Sequence, residues 1–180
     1  MVAAQHPTHI RAVVVGDAPL RKERLDPRSE ARVAAWRDVA GGRFTIAEIV
    51  DKLKDMPTEV PGQAAPVTMR EKYGDDAPVY EWIATNLYYN DPDMLSAIVD
   101  DYERTMAGYE MDTLLPGIQC PVLLLRADPA CGGIMTDADV ERALTLLPKP
   151  THIRFTGVGH YLIDPKEPVL AAIRDFFASL

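Results

Sequence analysis

Cysteine is scarce: Cys120 and Cys131 are the only two in 180 residues. Two thiols are too few for a disulfide framework, and no histidines stand at zinc-ligand spacing from them, so a reduced, cytoplasmic setting is expected and no metal or cofactor is called for. Long apolar runs are missing as well. The longest, around Ala12–Val15 and Val122–Leu125, fall far short of the ~20 residues that a membrane helix needs. Met1–Arg11 has no apolar core of a signal peptide. Basic residues are outnumbered by acidic ones, 19 to 27, and the net charge of −8 repels a phosphate backbone, which excludes general nucleic-acid binding. What remains is 47% hydrophobic and 26% charged, the composition of a folded chain that buries a core.

Three short apolar runs mark strands. Ile10–Val15 is β-branched and ends at Gly16-Asp17-Ala18-Pro19, which reads as a strand buried on both faces and then a turn. Pro121–Ala127 is a second, closed by Asp128-Pro129, and Thr151–Phe155 is a third, ended by Gly157-Val-Gly159. A helix is predicted after each of the last two. Asp137–Leu147 sets Val140, Leu144 and Leu147 on one face, and Pro168–Phe177 does so with Leu170, Ile173 and Phe177. Strand, helix, strand, helix implies parallel strands with right-handed crossovers. Met1–Gln5 reads as the last turn of a helix leading into the first strand, as though the chain began within a repeating αβ unit.

Residues 20–116 differ, with almost no strand signal and repeated helix starts. Asp26-Pro27 and Asp91-Pro92 each read as an N-cap with proline at the first helical position, and Thr45 can cap Ile46–Leu53. Pro57, Pro61, Gly62 and Pro66 mark a loop before helical pieces near Val79–Tyr89 and Met94–Met106. The fold class is therefore α/β: three parallel strands with flanking helices, a first strand unit at 1–19, an all-helical cap at 20–116, and the remaining strands and helices at 117–180.

With that order in place, His6–Leu20, Ile118–Asp128 and Gly157-Val-Gly-His-Tyr161 together resemble the C-terminal portion of an α/β-hydrolase with a helical cap. They look like that family's sixth, seventh and eighth strands, the cap being inserted after the sixth. One family feature is missing. The nucleophile of such enzymes sits on a Gly-x-Ser-x-Gly elbow, yet none of the eleven glycines here has another glycine four residues later. Ser29, Ser96 and Ser179, the only serines, fall in helical contexts. The resemblance thus implies a partial hydrolase fold carrying half a site.

Three residues are candidates for that half. His160 follows the third strand on its Gly-x-Gly loop, at the carboxyl edge where open α/β sheets hold ligands, and the resemblance gives it the role of general base. Its bland alternative is an exposed loop histidine. Asp128 ends the neighbouring strand on the same edge and could hold the imidazole tautomer, or could simply cap a turn before Pro129. Asp17 competes with it, because certain haloalkane dehalogenases place their acid after the corresponding first strand. Asp137 and Asp139 read as helix-start carboxylates. Cys131 as a thiolate nucleophile would lack an elbow and an oxyanion hole. His6 and His9 have i, i+3 spacing without a third ligand, and Trp36, Trp82, Tyr88 and Tyr89 could line an apolar pocket or form helix–helix core.

The expectation is a truncated α/β-hydrolase of the carboxylic-ester or lactone type that retains histidine, acid and cap. The alternative is a non-catalytic module that binds an apolar small molecule or a partner. The Ile10–Val15 strand lacks the devices that protect a natural sheet edge, which predicts a homo-oligomer or a complementary fragment beside Val13 and Val15.

Overall fold

The computed structural model describes residues 1–21, 26–60, 63, 65–162 and 165–180, so Pro61 and Gly62 of the expected loop lie outside the described residues. Among the described residues the chain order is α1 (Val2–Gln5), β1 (Val13–Gly16), α2 (Pro27–Val39), α3 (Ile46–Lys54), β2 (Pro57–Thr58), β3 (Val67–Thr68), α4 (Met69–Tyr73) and α5 (Val79–Tyr89). It continues through α6 (Pro92–Val99), α7 (Tyr102–Thr105), α8 (Met111–Gly117), β4 (Val122–Arg126), a 3-10 turn (Pro129–Cys131), α9 (Asp137–Leu146), β5 (Pro150–Arg154) and α10 (Lys166–Ala178). The chain divides into two compact units, Met1–Lys22 with Gly108–Leu180, and Glu23–Ala107.

The first unit is built on a three-stranded parallel sheet of order β1-β4-β5. Alternation along the central strand sorts its side chains between two cores. Val122 and Leu124 pack with Ala3, Met111, Leu114, Leu115, Ala143 and Leu147 on one face; Leu123 and Leu125 pack with Phe155, Val158, Val169 and Phe176 on the other. Helices therefore cover both faces, and β4 is buried at every position. β1 is only half-buried, contrary to the two-sided burial expected, because among the described residues it pairs with β4 alone. Segment 108–117 groups with this unit, since the apolar side of α8 closes the sheet.

Two helix faces differ from the sequence pattern by one residue. In α10 the buried positions are Val169 and Phe176, with Ala172 and Ile173 beside them, while Leu170 and Phe177 are exposed. In α9 Val140 is buried as expected, as is Leu147 just after the helix, but the residue between them in the core is Ala143, and Leu144 faces outward. Each set of buried positions keeps the spacing of one helical face, and size of side chain does not decide which face is buried.

Among the described residues the second unit is helical apart from a two-residue antiparallel ladder between β2 and β3. Its core joins Val39, Ile49, Leu53, Met69, Tyr80, Ala84, Leu87 and Leu95. Helix starts are fixed locally: Asp26 accepts from the N–H groups of Arg28 and Ser29, and Thr45 and Thr68 form capping boxes with Glu48 and Glu71. The helix expected over Met94–Met106 is two, α6 and α7, parted at Asp100-Asp101. Trp36 and Tyr88 pack against this core, whereas Trp82 and Tyr89 are exposed.

Candidate active site

β1 ends at Gly16, and the ladder runs one step further, because Asp17 N–H donates to the Leu125 carbonyl at 2.7 Å. Asp17 then takes φ +43°, in the left-handed region that a residue with a Cβ enters at a cost, and its side chain is fully buried. That turn drives the carboxylate under the neighbouring strand end. Ala127 N–H (3.0 Å) and Met135 N–H (3.3 Å) donate to Oδ1; Ile134 N–H (2.8 Å) donates to Oδ2. A buried carboxylate without partners would be prohibitively costly, and these three backbone donors supply what water would otherwise provide.

The fourth partner is His160, whose Nδ1 lies 2.9 Å from Asp17 Oδ2. An ionised carboxylate only accepts, so in the neutral imidazole the proton sits on Nδ1 and the ring's other nitrogen, Nε2, keeps its lone pair. Nε2 has no hydrogen-bond partner among the described residues, and the side chain is 35% exposed. The pair is thus a buried acid holding an accessible imidazole in one tautomer.

The loop that carries His160 is pinned at three places. Val158 is buried in the core, and its carbonyl accepts from Asp128 N–H at 2.8 Å. Gly157, at φ +72°, donates its N–H to Asp128 Oδ2 at 2.8 Å. A Cβ on Gly159 would lie 3.2 Å from the Cys131 carbonyl oxygen, so the loops after β4 and β5 approach closely there.

Asp128 therefore stands apart from the imidazole. Its other oxygen accepts from Ala130 N–H at 3.0 Å, and the Gly157 and Ala130 N–H groups hold its carboxyl below the usual range. Both oxygens serve the loops, which is the turn-capping alternative, and the structure brings Asp17 and not Asp128 to His160. Chain distance conceals this. Asp17 and His160 are 143 residues apart, and nothing local distinguishes an acid after the first strand from one after the second.

Sequence reasoning missed the cradle itself. Gly133 is its hinge: a Cβ there would meet the Ala127 carbonyl carbon and oxygen at 2.9 Å, so only glycine lets the loop fold back on the end of β4. The Gly132-Gly133 pair was the available signal. Other candidates lie elsewhere. Asp137 pairs with Arg126, and Asp139 completes a capping box with Thr136 while accepting from Leu20 N–H. Cys131 is free and exposed, and Cys120 is buried in the core. The rings of His6 and His9 meet edge to face, and no group of three or more metal-ligating side chains is found among the described residues. No described helix is long and apolar enough to cross a membrane.

No protein-family model and no curated protein matches the sequence. Solved structures do match it in fold. A hydrolase from Pseudomonas aeruginosa PA01 aligns with 98% of this chain at a TM-score of 0.58 and 15% identity, the chain covering 58% of its length. The enol-lactonase from Burkholderia xenovorans LB400 aligns with 98% at a TM-score of 0.56 and 15% identity, with 60% of its length covered. E-2-(acetamidomethylene)succinate hydrolase gives 0.56 and 18% identity over the same share of each chain, 98% and 60%. This chain spans little more than half the length of such structures, and its sheet, flanking helices and strand order are those of a partial α/β-hydrolase fold.

Proposed function

We propose that this chain carries the acid–histidine half of a hydrolase site for carboxylic esters or lactones, with Asp17 as the acid and His160 as the general base. The observation that carries the reading is the 2.9 Å hydrogen bond between a fully buried Asp17 and an accessible His160. Asp17 accepts Nδ1–H and stabilises the imidazolium. Nε2 takes the proton of a nucleophilic hydroxyl as its oxygen attacks the substrate carbonyl, then returns that proton to the departing alkoxide. Water repeats the sequence on the acyl intermediate, releasing the acid and restoring the hydroxyl. An esterase and an enol-lactonase among the structural neighbours favour this chemistry, and an apolar small molecule is the proposed substrate class.

The nucleophile has no Gly-x-Ser-x-Gly to sit on within these 180 residues, and comes on this reading from a further segment. Sequencing the DNA upstream of the Met1 codon tests this. An in-frame Gly-x-Ser-x-Gly is expected, and the joined protein should hydrolyse activated short-chain esters with kcat falling at least about a thousandfold in His160→Ala. A stop codon with no such segment would favour a binding module, and ester turnover that survives His160→Ala would place the activity at a different site or in a contaminant and overturn the role of His160.

A further inference from the structure

Of the three N–H groups that hold Asp17, that of Ala127 is placed by the sheet, whereas those of Ile134 and Met135 lie on the loop between β4 and α9. Something must fix that loop. The last residue of β4, Arg126, is 4% exposed, an arginine ending a run of aliphatic residues. Its Nε–H donates to the Met135 carbonyl at 3.0 Å, and its guanidinium also pairs with the Asp137 carboxylate, which it holds below the ordinary range. Met135 is thereby gripped at both ends, its N–H by Asp17 and its C=O by Arg126. An ion pair to a carboxylate that lies mostly in solvent adds little net stability. What the fork of donors supplies here is a fixed loop geometry.

We propose that Arg126 is a positioning residue that acts through Met135 to aim the Asp17 carboxylate at His160. The proposal rests on the reading of Asp17 and His160 as the reactive pair. Its test uses the 180-residue chain and two NMR readouts: the His160 imidazole nitrogen and Nδ1–H signals, which report the tautomer, and amide exchange at Ile134 and Met135. Arg126→Met and Arg126→Lys should both speed Met135 exchange about tenfold or more and turn the single Nδ1–H tautomer into a mixture, since lysine keeps the charge but not the fork. Asp137→Asn, at a side chain 79% exposed, should keep the fold and move both readouts in the same direction to a smaller extent. Folded variants with unchanged exchange and tautomer overturn the proposal, including the case where only the melting temperature falls. If Arg126→Met does not fold, Asp137→Asn decides by the same criteria. A wild-type chain without the Nδ1–H signal contradicts the Asp17–His160 pair itself, and Arg126 loses its role with it.

Discussion

Asp17 concentrates three constraints in one side chain: complete burial, a left-handed backbone and four hydrogen-bond donors around two oxygens. Asp17→Asn brings an amide NH2 against N–H donors, so at least one buried group loses its partner. The expected loss is about 1–3 kcal/mol of unfolding free energy, read from urea transitions. His160→Ala should cost less than this, because it removes a part-exposed ring and leaves the three backbone donors satisfied. Asp128 makes a different prediction, through pH. Its folded-state carboxyl is held below the ordinary value by the Gly157 and Ala130 N–H groups, so its support of the His160 loop is fully present above about pH 4. That support is lost as pH falls through the depressed value, and the Gly157 amide resonance should titrate with a midpoint below that of a free aspartate. Asp128→Asn should abolish the titration. The three candidate residues were visible in the sequence as strand-end groups, but which acid meets the histidine depends on bonds between Asp17 and residues 127, 134 and 135, over a hundred positions away.

At the scale of elements, the loop from Asp128 to Thr136 presents two consecutive N–H groups, those of Ile134 and Met135, to a carboxylate from a distant strand end. Gly133 permits it. Gly133→Ala would place a Cβ against the Ala127 backbone, which cannot yield as a flexible side chain would, and should cost roughly 1–3 kcal/mol in urea unfolding while loosening the Ile134 and Met135 amides. Unchanged stability and exchange in that variant would show that the close approach is not required. Strand positions and several helix starts were legible because they rest on local signals: continuous apolar runs at β4, and caps at Asp26, Thr45 and Asp91. Helix phase was legible only in part, since Val140 and Leu147 are buried as expected and Leu144 is not. In α10 the sheet selects Val169 and Phe176, and the equally apolar Leu170 and Phe177 face out, a choice made by tertiary packing.

The whole molecule has a sheet whose β1 edge pairs on one side alone among the described residues, with Val13 and Val15 facing one core and Val14 the other. We propose that a second copy or a complementary fragment covers this edge, so sedimentation of the wild-type chain should depend on concentration and Val13→Lys should weaken the dependence. A wild-type chain that stays monomeric and cooperatively folded at high concentration would contradict that assembly. The central claim, that Asp17 is the acid for His160, is tested most directly by the His160 Nδ1–H resonance in the wild type, Asp17→Asn and Asp128→Asn. The account predicts that the signal is present in the wild type, persists in Asp128→Asn at neutral pH and is lost in Asp17→Asn; loss in Asp128→Asn with retention in Asp17→Asn would contradict it.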